Sequence, residues 1–195
     1  MTTHSHVKHL NSLEHHLLVA MPSMDDGYFE KTVIYIVEDN DSGTMGLILN
    51  LPNEQMTVGE LLHHFKYPIV EALPYFDDPV FVGGPVDPER GFILHRPLGN
   101  WQTTLPLSDR LGMTVSEDLL KAMAAGKAPE DFIICLGYAG WTKGQLAEEL
   151  QQNSWLTLPY NESLLFDIPA ERKWHTALGT LGITPEFLSM EAGHA

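Results

Sequence analysis

The feature that most restricts the fold of this chain is the order in which its extended and helical segments follow one another. Five short runs rich in β-branched and aromatic residues read as strands: TVIYIV (32–37), GLILN (46–50), PVFVGG (79–84), GFILH (91–95) and DFIICLG (131–137). The first two are separated only by the turn-forming EDNDSGTM, and the third and fourth by PVDPER. Asp, Asn, Ser, Gly and Pro at such spacings predict two hairpins or short antiparallel links. A regular strand–helix alternation, the pattern that winds a parallel sheet, is broken at both places. The order predicts an α+β fold, a single domain with a mixed, mostly antiparallel sheet flanked by helices.

Helix signals fall between these runs. TVGELLHHF (57–65) opens with Thr57 three residues before Glu60, a capping box, and repeats Val58, Leu61, Leu62 and Phe65 on one face. TVSEDLLKAMAAG (114–126) repeats the device with Thr114 and Glu117, places Val115, Leu119, Leu120 and Met123 inward, and stops at Gly126. Trp174, Ala177, Leu178 and Leu181 recur at helical spacing behind Pro169, and GQLAEELQQN (144–153) adds a short helix.

Charge narrows the function. Asp plus Glu number 26 against 11 Lys plus Arg, a formal −15, and the basic residues are scattered. Phosphate backbones are held by clustered cations, so this balance argues against direct nucleic-acid binding. The longest apolar runs have five residues, far short of the roughly 20 needed to cross a bilayer. The histidine-rich residues 1–16, expected to be partly disordered, lack the apolar core of a secretory signal, and a cytoplasmic location is expected. The lone Cys135 lies in FIICLG and reads as a buried, reduced thiol.

The stretch that looks most like chemistry is LGYAGWTKGQLAEEL (136–150). Gly137, Gly140 and Gly144 match neither the dinucleotide fingerprint nor the P-loop, and no Ser or Thr follows Lys143-Gly144 to hold magnesium. A structural reading serves as well: glycines that permit close approach, Thr142 as a helix cap, and Trp141 as a core plug. Asp39 and Asp41 alternate as in a calcium loop, but the glycine comes early and position twelve is Asn50 rather than Glu, so a turn is expected. Ten histidines form no metal-binding spacing, and no cofactor or metal is expected. His95, at the end of GFILH, is the one candidate for acid–base work; a hydrogen-bonded structural role is its plainer reading.

Taken in order, MPSMDDGYFEKTVIYIVEDNDSGTMGLILNLP, PVFVGGPVDPERGFILH, LGYAGWTKGQLAEEL, NSWL, LLFD and AGHA resemble the YqgE/AlgH family of bacterial proteins (DUF179, uncharacterised protein family 0301). The resemblance runs from about Leu17 to the C-terminus, so residues 17–195 are taken as the domain. It implies a barrel-like sheet flanked by helices, a cytosolic protein and an unassigned function; some members carry a transcriptional-regulator label. Its signature would fall on Asn50, Pro52, Gly83, Gly84, Pro85, His95, Gly137, Gly140, Trp141, Gly144 and Gln145. One departure is Leu51, where the family usually has Arg; an anion contact made by that arginine would be lost or shifted to Arg90 or Arg96.

The leading expectation is a non-catalytic binding or regulatory module. Asn50, Gly83, Gly84, His95, Trp141 and Gln145 would converge on one pocket for a small-molecule ligand or protein partner. The alternative is an enzyme using His95 as general acid or base with Asp87 or Glu89. A third reading is indirect control of transcription through a protein partner.

Overall fold

The computed structural model describes residues 12–186. The expected N-terminal segment lies, over 1–11, outside the described residues. Within them the chain forms ten strands and five helices in one α+β unit: β1 (His16–Ala20), β2 (Val33–Asn40), β3 (Gly43–Ile48), β4 (Pro52–Thr57), α1 (Val58–His64), β5 (Pro79–Val82), β6 (Val86–Arg96), β7 (Thr104–Pro106), β8 (Gly112–Thr114), α2 (Glu117–Ala124), β9 (Asp131–Trp141), α3 (Gln145–Gln151), β10 (Trp155–Pro159), α4 (Glu162–Phe166) and α5 (Ala170–Thr180). The strands run β10-β1-β2-β3-β9-β6-β8-β7 in one curled sheet, with β5 on β9 and β4 on β5. All pairings are antiparallel except β5 with β9. Among the described residues no helix is long and apolar enough to cross a membrane.

The centre is β9. One edge pairs along its length with β6, from Arg96 opposite Asp131 to Val86 opposite Tyr138. The other edge changes partner midway: Cys135 and Leu136 face β5, whereas Ala139 to Trp141 face β3. The change falls at Gly137, whose φ of 74° is left-handed. Gly83 ties the pieces together, donating to the Leu136 carbonyl and accepting from the Ile48 N–H, each at 2.8 Å. Space here is fully used. A Cβ on Gly83 would lie 2.2 Å from the Gly137 oxygen, one on Gly84 would lie 2.0 Å from the Tyr138 carbonyl carbon, and one on Gly137 would lie 2.5 Å from the Gly84 oxygen.

The predicted β2–β3 hairpin forms, turning through Asp41 and Ser42. The predicted link between the third and fourth strands does not. β9 inserts between β5 and β6, and the presumed turn PVDPER is itself part of β6 apart from Pro85. A long-range partner outcompetes the local turn because the apolar run of β9 can bond on both edges. β4, β7 and β8 are too short or too polar to stand out by pattern.

Both faces of the sheet are covered, which is why its strands read as continuous apolar runs rather than alternating ones. Leu17, Val19, Val33, Tyr35, Phe92, Leu94, Ile133 and Cys135 pack with α4 and α5. Behind them, Ile93 and Ile134 pack with α1 and α2, while Leu18, Ile34, Ile36 and Ala139 pack with Trp141, Trp155 and Leu146 of α3. The capping box of α1 is present as predicted, with Thr57 and Glu60 bonded reciprocally. Phe65, expected inward, is exposed and stacks on Tyr67. α2 departs from expectation: its cap position is Ser116, Val115 is exposed, and Thr114 is a fully buried residue of β8.

The glycine interlock gives a sharp contrast. Gly84→Ala is expected to lose about 3 kcal/mol or more of stability, because rigid backbone fills the space. Gly179→Ala, in α5 with open space around it, should be neutral or stabilise by about 1 kcal/mol. Denaturant unfolding of the two variants measures both.

Candidate functional site

The six residues expected to share a pocket are held in four separate places. Asn50 clamps the entrance to β2: its side-chain oxygen accepts from the Val33 N–H at 2.9 Å and its amide donates to the Lys31 carbonyl at 2.8 Å. This fixes the turn at Lys31, whose φ of 56° is left-handed. Gly83 and Gly84 belong to the interlock on β9, where the single atom nearest each Cβ position is backbone.

His95 is completely buried. Its Nδ1 lies 2.9 Å from the Pro97 carbonyl, which can only accept, so Nδ1 carries the proton. Nε2 then accepts from the Thr114 hydroxyl at 2.6 Å, and Thr104 donates to Thr114 at 2.7 Å. Burial pushes the imidazole pKa below its ordinary 6.5, with the Pro97 carbonyl acting the other way. The carboxylates weighed as its partners, Asp87 and Glu89, sit six or more residues back along β6 and are exposed, whereas His95 spends both nitrogens joining β6 to β8 and the following loop.

Trp141 and Gln145 do meet, through Glu149. The Glu149 Oε2 accepts the indole N–H of Trp141 at 2.9 Å and that of Trp155 at 2.8 Å, and the two rings stand edge to face. Gln145 donates to Oε1 at 3.1 Å and accepts from the Thr142 N–H. The cap position of α3 is Gly144 at φ 84°, so Thr142, expected as the cap, is instead the residue that Gln145 reaches back to.

Other candidates are equally engaged. Asp39 accepts from the Leu13 N–H and the Thr44 hydroxyl, each at 2.7 Å, which makes it part of a turn. Arg96 is paired with Asp131 at 2.6 Å, Glu162 at 2.8 Å and Asp167 at 3.2 Å, and lies over the Phe166 ring. Arg90 lies over Phe92. Burial pushes the Cys135 thiol up to about 12 and keeps it protonated. Among the described residues no three His, Cys, Asp or Glu side chains gather as a metal ion requires.

Two hollows remain. An open groove of about 390 Å³ is lined by Met45, Tyr138, Gly140 and Trp141, with Val86 from β6. Glu38, Asn40, Ser42, Thr44 and Thr142 supply its polar groups. A second cavity, about 200 Å³, lies between β9 and the α4–α5 pair and contains Lys173. Of the six expected residues only Trp141 borders either hollow. Lys173 escaped notice because ERK reads as a charged surface. The available signal was its spacing of four from Ala177, which puts it on the inward stripe of α5.

These bonds are testable. Because folding lowers the His95 pKa, its stabilising contribution is complete above pH 6.5, the unfolded value, and is lost as pH falls through the native value. Urea unfolding should therefore weaken more steeply on acidification below pH 6.5 in the unmodified protein than in His95→Gln. Glu149→Gln, which presents an amide to two indole donors, should cost about 2 kcal/mol and alter tryptophan fluorescence.

Comparison with known proteins agrees with this architecture. The AlgH-like family model, DUF179, matches residues 17–186. A UPF0301 protein of Hydrogenovibrio crunogenus is 62% identical over 96% of this chain and 100% of its own length, and one of Chromobacterium violaceum is 43% identical over 94% and 98%. The solution structure of the AlgH protein from Pseudomonas aeruginosa aligns over 100% of both chains with 42% identity and a TM-score of 0.75. A crystal structure of a protein from Corynebacterium diphtheriae, 21% identical over 86% of both chains with a TM-score of 0.67, shares the fold. The chain belongs to the AlgH-like (DUF179, UPF0301) family.

Proposed function

We propose that this protein is a non-catalytic binding module whose receptor is the open groove beside β3 and β9. The observation that carries the reading is the groove's makeup: Met45, Val86 and Tyr138 supply an apolar and aromatic floor, while Ser42, Thr44, Asn40 and Thr142 supply hydrogen-bonding groups. Its walls are rigid. Trp141 is held by Glu149, Tyr138 packs edge to face on Phe92, and Gly43 brings β3 within a Cβ contact of the Trp141 carbonyl. A preformed site of this kind spends little free energy on ordering when it binds. Glu38 at the rim and the net charge of −15 favour a neutral or cationic small molecule with a flat apolar part.

The binding reading is favoured over acid–base chemistry because both nitrogens of the candidate base, His95, are already bonded and the ring is buried. Gly140 offers a clean test, since a side chain there meets only the Tyr138 ring at 3.6 Å and Val86 at 3.9 Å. Small neutral and cationic molecules selected by NMR screening should shift the Thr44, Tyr138 and Gly140 resonances. Gly140→Leu should weaken their binding at least about tenfold, or about 1.4 kcal/mol, while leaving thermal stability nearly unchanged. Undiminished binding to Gly140→Leu would refute the groove.

A further inference from the structure

We propose that the cavity between β9 and α5 is a binding site for a small apolar monocarboxylate, its carboxylate paired with Lys173 and its hydrocarbon or aromatic body held by Phe81, Phe132, Phe166 and Ile168. This goes beyond the groove and does not depend on it.

The chemistry begins with a cation where none is expected. Lys173 is 3% exposed, and no carboxylate of the described residues lies within ion-pair distance of its Nζ. Two of its three N–H groups donate to the Leu164 and Leu165 carbonyls at the end of α4. With those bonds the ammonium borders the cavity, and its third donor is unclaimed among the described residues. A carboxylate oxygen would complete the ammonium's hydrogen bonding and supply the direct ion-pair partner that the described residues do not, in a medium where a charged pair is strong.

The remaining walls set the ligand's size and charge. A cavity near 200 Å³, lined by Phe81, Phe132, Ile133, Phe166 and Ile168, suits a body the size of a phenyl or branched-chain group. Phe166 is fixed from behind by Arg96. The titratable groups around Lys173 are Asp78 and Asp131, which line the same cavity, Asp167 after α4, and the neutral Cys135 thiol of β9. Asp131 and Asp167 are engaged by Arg96. This surplus of acidic groups admits one negative charge matched by Lys173 and opposes a second, which disfavours phosphates and dicarboxylates.

Burial lowers the Lys173 ammonium to about 8, with Asp167 and Cys135 acting the other way. A carboxylate binds the charged form. Affinity is therefore constant from about pH 6, where the ligand's carboxyl is fully ionised, to about pH 8, and falls about tenfold per pH unit above it.

NMR titration of the full chain with phenylacetate and 3-methylbutanoate, against phenylacetamide and phenylethylamine, tests this. The acids should bind saturably with shifts at Ile133, Ile168 and Lys173, the amide and amine at least about tenfold more weakly, and the acids should be released as pH rises past about 8. Ala170→Leu, which fills the cavity and leaves Lys173 in place, should abolish binding, and Lys173→Met should erase the preference for acid over amide. Should Lys173→Met fail to fold, Ala170→Leu and the pH profile decide. No saturable binding of either acid, equal affinity for acid and amide, or binding that survives Ala170→Leu would overturn the proposal.

Discussion

The structure depends on a steric constraint at the middle of β9. There one strand must pass from a parallel partner, β5, to an antiparallel one, β3, without leaving the sheet. Two strand ends and a bend then occupy the space normally given to side chains, and only hydrogen atoms fit at Gly83, Gly84 and Gly137. The interlock joins the β10-β1-β2-β3 half of the sheet to the β6-β8-β7 half. Without it the two halves would have no shared hydrogen-bonded strand, and the apolar layers they carry would not face a common core.

The polar side chains that look most chemical are spent on the same task of closure. Asn50 holds the entry to β2, His95 joins β6 to β8, Arg96 draws three carboxylates onto the ends of β9 and α4, and Glu149 anchors two indoles beneath α3. Each is buried or partly buried and engaged by hydrogen bonds or ion pairs within the fold, the state in which a polar group adds specificity rather than reactivity. Ligand recognition is thereby directed to surfaces that these residues shape but do not line.

The two hollows have different characters. The groove is open, with several weak hydrogen-bonding groups around an aromatic floor. The cavity is smaller and more enclosed, with one strong and incompletely matched cation. Open polar grooves discriminate by shape and hydrogen-bond pattern, whereas an enclosed site with one charge discriminates first by the charge of its guest.

Much of the fold was legible in the residues alone. The apolar runs that became β2, β3, β5, β6 and β9 were visible because both faces of each are covered, and the cap of α1 was visible because Thr57 and Glu60 interact within one turn. The non-alternating order sufficed for an α+β class. Three things were decided only by tertiary structure. β9 inserted between β5 and β6, because pairing between residues as distant in sequence as Phe81 and Cys135 leaves no local trace in a turn sequence. The shared pocket of Asn50, Gly83, Gly84, His95, Trp141 and Gln145 resolved into separate structural contacts, because a motif records which residues are needed and not what they touch. Lys173 came to lie at a cavity wall, because a helix stripe fixes which side chain turns inward, while the carbonyls that receive it come from another helix.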